Sequence, residues 1–394
     1  MRLIVAILAG TVTFYPALSQ DTNDGKISTG AEQVQQYLPR IHGKRVAVVT
    51  NHTSLVGRKH LVDTLLILRV NIKKIFCPEH GFRGDIEAGE LIRSHTDTKT
   101  GLPVISLYGS SKKPSKEQLK DIDIVLFDMQ DVGVRYYTYI STMHYVMEAC
   151  AENGIPLIVL DRPNPNGFYV DGPVLDTAYR SFVGMHPVPL VHGMTVGEFA
   201  MMINGEGWLL RGQKCDLTVV PSLGYTHGLI YSLPVKPSPN LPNLLSVLLY
   251  PSLGLFEGTV VSVGRGTNFP FQVFGYPGFP GKDFKFKPTA VKGASANPPY
   301  KGKCCFGIDL RGYSTEYFIN RKSVNLEWLI FAYQNYPDKK NFFNGFFLNL
   351  AGTPLLRKQM EEGLSADSIR NSWGPSLQHY KQIRKNYLLY PDFE

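Results

Sequence analysis

The stretch "DIVLFDM" at residues 123–129 begins the pattern that decides the fold. It is a short run of apolar and β-branched residues, which is typical of a buried strand. "TYISTMHYVMEACAENG" (138–154) follows with the length of a helix and a terminal glycine, and "IPLIVLD" (155–161) is another apolar run. A strand, a helix and a second strand in this order predict a parallel strand pair joined by a helical crossover.

The same alternation extends toward the amino terminus. Three further apolar runs precede residue 110, and helices are predicted at "RKHLVDTLLIL" (58–68), after the first run, and at "SKEQLKDI" (115–122), after the third. The strands predicted from those runs are "RVAVVT" (45–50), "KKIFC" (73–77) and "LPVISLYG" (102–109). Beyond about residue 190 the alternation decays.

We therefore predict an α/β fold of two parts. A Rossmann-like subdomain with a parallel sheet is expected at residues 28–190 and a smaller α+β subdomain at residues 191–394. The active site is expected in the cleft between them. No G-x-G-x-x-G or Walker sequence follows the first strand, which excludes a dinucleotide-binding domain.

The first residues have the pattern of a secretory signal peptide. Arg2 precedes the apolar run of residues 3–9, and Ala17-Leu18-Ser19 is a small-x-small cleavage pattern. We predict a signal peptide at residues 1–19 and an exported chain that is periplasmic or extracellular after cleavage. No later stretch has the roughly 18 apolar residues of a membrane helix, so no membrane span is predicted in the mature chain.

Composition excludes several classes of partner and site. The formal charge is +8, but the basic residues are spread along the chain, so nucleic acid is not a predicted partner. A mildly basic surface suits an acidic polymer and equally serves solubility. None of the five cysteines forms a C-x-x-C pair and the histidines are scattered, so neither a metal nor another cofactor is predicted. The sequence leaves the disulfide state of Cys304 and Cys305 open.

Polar residues follow each of the five predicted strands. In open α/β sheets, ligands bind in the crevice outside the carboxyl ends of the strands. The sequence therefore predicts a ligand crevice at this edge of the sheet. The polar residues are Asn51 and His52, then Glu79 and His80, then Tyr108, then Asp128, Gln130 and Asp131, and finally Asp161, Arg162 and Asn164.

The acids of this crevice fit glycoside hydrolysis, which usually requires two carboxyl groups with separated pKa values. Glu79 follows Phe76 and Cys77, and apolar walls of this kind favour a raised pKa and acid work. A helix-capping or salt-bridging carboxylate is the structural alternative. Asp128 and Arg135, in "DMQDVGVRYYTY" (128–139), present the same choice between binding a ligand and an internal ion pair.

Two other hydrolase classes receive less support. A serine hydrolase is excluded because the sequence has no G-x-S-x-G elbow. A metal-dependent amidase or esterase stays open because Asp128, Asp131, Asp161 and His80 could cluster, although no H-E-x-x-H motif supports it.

Six motifs in register resemble the exo-β-N-acetylmuramidase (NamZ-type) family. They are "PEHGFRG" (78–84), "DMQDVGVRYYTY" (128–139), "LDRPNPNG" (160–167), "HGMTVGEFA" (192–200), "KPSPNLP" (236–242) and "EGTVVSVGRGTNFPF" (257–271). The resemblance implies hydrolysis of the β-1,4 bond that releases terminal non-reducing N-acetylmuramic acid from peptidoglycan-derived muramyl saccharides. Its rival is a non-catalytic periplasmic muropeptide-binding protein.

Site residues follow from the same resemblance. Glu79 is the expected catalytic acid, and Asp128, Asp131 and then Glu90 are candidates for the second catalytic group, unless the substrate's own acetamido group takes that role. Muramic acid carries a lactyl carboxylate, which arginine binds well. The arginine candidates are Arg83, Arg135, Arg162 and Arg265, and the other expected substrate-binding residues are Asn51, His80, Tyr137, Asn164, His192, Asn240 and Glu257.

Overall fold

The computed structural model describes residues 27–79, 81–83, 94–109 and 111–394. The predicted signal peptide, the binding candidate His80 and the catalytic candidate Glu90 lie outside the described residues.

A seven-stranded sheet forms the centre of the molecule. The described strands are Arg45–Thr50 (β1), Leu55–Val56 (β2), Lys59–His60 (β3), Asn71–Cys77 (β4), His95–Thr96 (β5), Pro103–Ser106 (β6), Ile124–Asp128 (β7), Leu157–Leu160 (β8), Leu217–Val220 (β9), Val273–Tyr276 (β10), Lys285–Phe286 (β11) and Cys305–Asp309 (β12). The sheet order is β5-β6-β4-β1-β7-β8-β9, and its strands are parallel except for β5 at one edge. The predicted α/β class with a mostly parallel sheet is confirmed.

Helices cover both faces of this sheet and recur through the carboxyl-terminal region. They are Val34–Ile41 (α1), Leu61–Ile67 (α2), Lys116–Leu119 (α3), Tyr139–Asn153 (α4), Val196–Gly205 (α5), Leu244–Leu253 (α6), Thr315–Arg321 (α7), Glu327–Asn335 (α8), Phe347–Ala351 (α9), Leu355–Glu361 (α10), Ala366–Ser372 (α11) and Gly374–Arg384 (α12). Gly154 ends α4 in the left-handed conformation, with φ of 64°. Thr195 and Glu198 form a capping box that starts α5.

The two faces of the sheet carry separate apolar clusters. Side chains alternate along each strand, so Val46 and Val48 pack with α1 and α2 while Ala47 and Val49 pack with α4 and α5. Burial of both faces explains why these strands are continuous apolar runs rather than alternating ones. The ends of the strands are therefore where the sheet can present polar groups.

The carboxyl-terminal region is smaller and of a different kind. It contains a three-stranded antiparallel sheet of order β10-β12-β11 together with the helices that follow α5. β9 pairs in parallel with β8, so the main sheet continues past residue 190, where the sequence pattern placed the division. Four residues at a sheet edge are too few for periodicity to identify. Within the described ranges, no helix has the length and apolar character needed to cross a membrane.

Candidate active site

A pocket of about 380 Å³ lies at the carboxyl ends of β4 and β6. This volume is typical of a site for a small ligand. Its walls come from both regions of the chain. The amino-terminal half contributes Glu79, Tyr108, residues 136–139, Phe182 and Val183, and the other half contributes Ser238, Tyr250, Glu257, Arg265, Phe346 and Leu350.

Glu79 reaches this pocket because it lies two residues beyond β4. The half-buried carboxylate contacts Tyr108, which lies just after the neighbouring strand β6. Burial, followed by the charge of Glu79 and a hydrogen bond to it, raises the pKa of Tyr108 above its ordinary value. The phenol therefore stays protonated and donates to the carboxylate. Tyr108 was recognised in the sequence only as a residue at a strand end.

Tyrosines form the floor of the pocket. The rings of Tyr137 and Tyr139 lie 4.7 Å apart and those of Tyr136 and Tyr250 lie 5.1 Å apart, both pairs edge to face. The Tyr137 hydroxyl donates to the Pro237 carbonyl at 2.7 Å. Burial is the largest cause that raises the pKa of each of these four phenols, so they remain neutral. The floor is therefore uncharged.

Glu257 and Arg265 form the charged wall. The Arg265 Nη2 atom lies 3.0 Å from Glu257 Oε2, and its guanidinium group lies 4.9 Å from the centre of the Phe271 ring. Burial would lower the pKa of Arg265, but Glu257 and, less strongly, Glu79 raise it. Among the described residues that line the pocket, Glu79 and Glu257 are the only carboxylates and Arg265 is the only cation.

Asp128 and Arg162 form a buried ion pair away from the pocket lining. Arg162 Nε and Nη2 donate to the two carboxylate oxygens of Asp128 at 2.6 and 2.9 Å, and Nη2 also donates to the Leu55 carbonyl at 3.0 Å. The side chains of Asp128 and Arg162 are 0% and 1% exposed. Asp128 was predicted as a catalytic candidate and Arg162 as a substrate-binding residue, and here they pair with each other. The sequence left an internal ion pair of Asp128 open, but with Arg135 rather than Arg162 as its neighbour.

Asp131 lies beneath the tyrosine floor. Its Oδ1 accepts from the Gly133 amide at 2.7 Å and lies 4.0 Å from Nε2 of His192. Burial raises the pKa of Asp131 to about 7 and lowers that of His192 to about 3. Neither residue lines the pocket. His192 is therefore neutral at neutral pH, and Asp131 is mostly protonated below about pH 7.

Most of the other predicted binding residues support loops around the pocket. The Arg135 guanidinium group is buried and donates to four main-chain carbonyls at 2.7 to 3.0 Å. Arg83 pairs with Asp97, and the side chains of three asparagines bind neighbouring groups. Asn51 accepts from Thr53, Asn164 donates to the Met194 carbonyl, and Asn240 donates to the Ala294 carbonyl. Of the predicted binding residues, Tyr137, Glu257 and Arg265 line the pocket.

Sequence reasoning did not select Tyr250 and Phe346, which the fold brings to the pocket. Tyr250 lies inside the apolar run of α6, and nothing in that run distinguishes it from a core residue. As for metals, no group of three or more potential ligands occurs in the part of the chain that the structure describes.

Comparison with known families agrees with this geometry. Residues 46–245 match the model "Exo-beta-N-acetylmuramidase NamZ, N-terminal" and residues 248–390 match "Exo-beta-N-acetylmuramidase NamZ, C-terminal". The chain belongs to the NamZ family. The predicted resemblance is thereby confirmed, and it covers both regions that line the pocket.

Individual relatives support the same assignment. The peptidoglycan β-N-acetylmuramidase NamZ of Bacillus subtilis (strain 168) is 40% identical, over 98% of this chain and 97% of the relative. Two crystal structures of DUF1343 family proteins from Bacteroides fragilis NCTC 9343 are also similar. One is 48% identical with a TM-score of 0.87, over 93% of this chain and 99% of that one. The other is 32% identical with a TM-score of 0.72, over 92% and 99%. As a member of the NamZ family, the chain is a glycoside hydrolase, an exo-β-N-acetylmuramidase.

Proposed function

We propose that the pocket around Glu79 is where this exo-β-N-acetylmuramidase hydrolyses the β-1,4 bond of a terminal non-reducing N-acetylmuramic acid. The site lies in a cleft between a Rossmann-like part and the carboxyl-terminal region. The observation that carries the proposal is that Glu79 and the Glu257–Arg265 pair, 178 positions or more apart in sequence, line one pocket. A glycosidase needs two carboxyl groups around one bond, and this pocket has two.

Glu79 acts as the general acid in this proposal. It extends from the end of a rigid central strand, and Tyr108 fixes the orientation of its carboxyl group. The tyrosine floor keeps bulk water from one side of the pocket, which strengthens electrostatic interactions with a bound sugar. Protonation of the glycosidic oxygen by Glu79 then allows the leaving sugar to depart as a neutral alcohol.

Glu257 is the second catalytic carboxylate in this proposal. Although Arg265 pairs with it, Glu257 lines the same pocket as Glu79 and can assist the attacking group, whereas Asp128 and Asp131 are buried outside the pocket lining. Asp128 and Asp131 therefore take supporting roles. The substrate's acetamido group replaces Glu257 only if removal of the Glu257 charge leaves turnover intact.

Arg265 recognises the lactyl carboxylate. Its Nε and Nη2 atoms face Glu257, and no hydrogen bond to its Nη1 atom occurs within the described ranges. A guanidinium group can bind a second carboxylate through that remaining edge. This arrangement favours a muramide over the matching glucosaminide, which lacks the lactyl group.

The place of action is outside the cytoplasm in this proposal. The support is the basic, apolar and small-residue pattern of residues 1–19. An exported enzyme of this class meets peptidoglycan fragments directly and supplies N-acetylmuramic acid for cell-wall recycling. Fractionation of cells that express the full chain should place the protein outside the cytoplasm and shorter by the predicted signal peptide.

Turnover of a chromogenic sugar tests the proposal. Purified protein should release nitrophenol from para-nitrophenyl β-N-acetylmuramide and far less from the matching glucosaminide. Arg265→Lys should reduce that preference, while Arg58→Lys, an exposed arginine on another loop, should leave it unchanged. Tight binding of the muramide without release would favour the non-catalytic muropeptide-binding protein instead.

A further inference from the structure

A second cavity, of about 610 Å³, adjoins the active-site pocket. We call it the outer cavity. It lies between α4, the segment 180–186 and the loop 207–212. Phe182 lines both cavities, so they adjoin each other.

The outer cavity carries cations without acidic partners. Lys112, Arg180 and Arg211 line it, and none of them forms an ion pair within the described ranges. Lys112 Nζ lies 4.6 Å from the centre of the Phe182 ring. Glu148 is the one acid of the described lining, and it is already neutralised: Lys113 Nζ lies 3.2 Å away, and the Leu210 amide donates to it at 3.0 Å. The cavity therefore presents net positive charge.

Aromatic rings form the rest of its wall. Tyr145 and Phe182 are stacked with their rings 6.3 Å apart, and Trp208 is stacked on His186 at 5.2 Å. Flat aromatic faces beside hydrogen-bonding groups suit the apolar faces and the hydroxyl rims of sugar rings. Cations next to such faces suit a sugar that also carries a carboxylate.

Two hydrogen-bonded histidines in this wall leave one ring nitrogen without a partner among the described residues. His144 Nε2 lies 3.2 Å from Glu148 Oε1, and His144 Nδ1 lies 3.0 Å from His186 Nε2. The hydrogen bond with His144 occupies His186 Nε2, so Nδ1 is the ring nitrogen of His186 that remains. His186 is 1% exposed, and its Nδ1 has no partner within the described ranges. A ligand hydroxyl or amide can satisfy it.

We propose that the outer cavity binds the leaving side of the glycan fragment, that is, the N-acetylglucosamine next to the cleaved bond and the carboxylate of the muramic acid that follows. This inference rests on the proposed function because it assigns the sugar released in the Glu79 pocket to one side and the remaining chain to the other. Arg180 and Arg211 bind the carboxylate, and the sugar ring packs against the aromatic wall.

Substrates of different length test this assignment. Wild type and the double variant Arg180→Gln/Arg211→Gln are compared on para-nitrophenyl β-N-acetylmuramide, which has no sugar on the leaving side, and on a muramic-acid-terminated tetrasaccharide. The double variant should lose roughly tenfold in kcat/KM on the tetrasaccharide and stay within about twofold on the chromogenic substrate. Arg58→Gln is the matched control on a distant exposed loop.

Equal kcat/KM of wild type and the double variant on the tetrasaccharide would overturn the inference, and so would an equal loss on both substrates. Calorimetry with the disaccharide N-acetylglucosaminyl-N-acetylmuramic acid separates this result from failure of the proposed function, because the non-reducing end of that fragment is N-acetylglucosamine and offers no muramic acid to release. Wild type should bind it and the double variant should bind it roughly tenfold more weakly. Failure of wild type to cleave the chromogenic muramide would instead contradict the Glu79 pocket as the active site.

Discussion

Glu79 and Asp128 lie at the carboxyl ends of β4 and β7, the two strands on either side of β1, yet their side chains have different roles in the fold. Asp128 is the last residue of β7, in register with Thr50, and its side chain remains in the core, where Arg162 neutralises it. Glu79 lies two residues beyond the end of β4 and reaches the pocket. Two residues of chain decide whether a strand-end acid supports the fold or faces a ligand.

The largest effect on activity is expected at Glu79. Glu79→Gln keeps the size of the side chain and its contact with Tyr108 but removes the proton donor. Hydrolysis of the natural disaccharide, N-acetylmuramic acid β-1,4-linked to N-acetylglucosamine, should fall by roughly 10²–10⁴-fold in kcat with little change in Tm. Glu117→Gln, at an exposed position of α3, serves as the control and should be as active as wild type.

Replacement of Asp128 should reduce stability and leave activity nearly unchanged, the reverse of what is expected for Glu79. Asp128→Asn leaves the buried Arg162 guanidinium group without its counter-charge, so the free energy of unfolding should fall by about 3–5 kcal/mol. Urea denaturation monitored by tryptophan fluorescence measures this loss. Residual activity of the folded fraction should stay close to wild type. If the Asp128→Asn protein is stable but has no turnover, Asp128 is a catalytic residue after all.

Glu257, the second carboxylate of the pocket, should also affect turnover. Glu257→Gln should reduce kcat on the natural disaccharide by on the order of 10²-fold, because the pocket then has one carboxyl group instead of two. Stopped assays of released N-acetylmuramic acid give the rate. If kcat is undiminished in this variant, the substrate's acetamido group acts as the second catalytic group in place of Glu257.

A pH dependence of stability is expected at Asp131. Burial raises the pKa of Asp131 from 3.8 to about 7, so the folded protein retains a proton that the unfolded chain releases. The contribution of Asp131 to stability therefore decreases as the pH rises from about 4 to 7.

Asp131→Asn removes that titration. Relative to wild type, the variant should gain stability with rising pH over this window, by up to about 1.4 kcal/mol per pH unit. Denaturation curves of both proteins at pH 4.5, 5.5 and 6.5 measure the difference. Parallel curves at all three values would mean that Asp131 is ionised in the folded protein.

Local patterns in the sequence predicted the sheet because burial of both faces leaves a strong apolar signal in β1, β4 and β8. The same patterns did not identify β9, where four edge residues carry little information. The C-cap at Gly154 and the N-cap at Thr195 were also predictable, since both depend on local chemistry.

The site was less predictable from the sequence than the sheet. Strand ends marked Glu79 and the tyrosines of residues 136–139, but the pairing of Asp128 with Arg162 depends on the packing of β7 against the loop after β8. Tyr250 reaches the pocket through long-range packing of α6, which has no local signature. Whether a strand-end acid faces a ligand or a counter-ion is a tertiary property.

The most direct test of the Glu79 role compares two leaving groups in the Glu79→Gln variant. Nitrophenolate departs without a proton, whereas a sugar alcohol needs one. We predict that the variant loses at least tenfold more kcat on the natural disaccharide than on para-nitrophenyl β-N-acetylmuramide. Equal losses on both substrates would contradict general-acid catalysis by Glu79 and leave it a positioning residue.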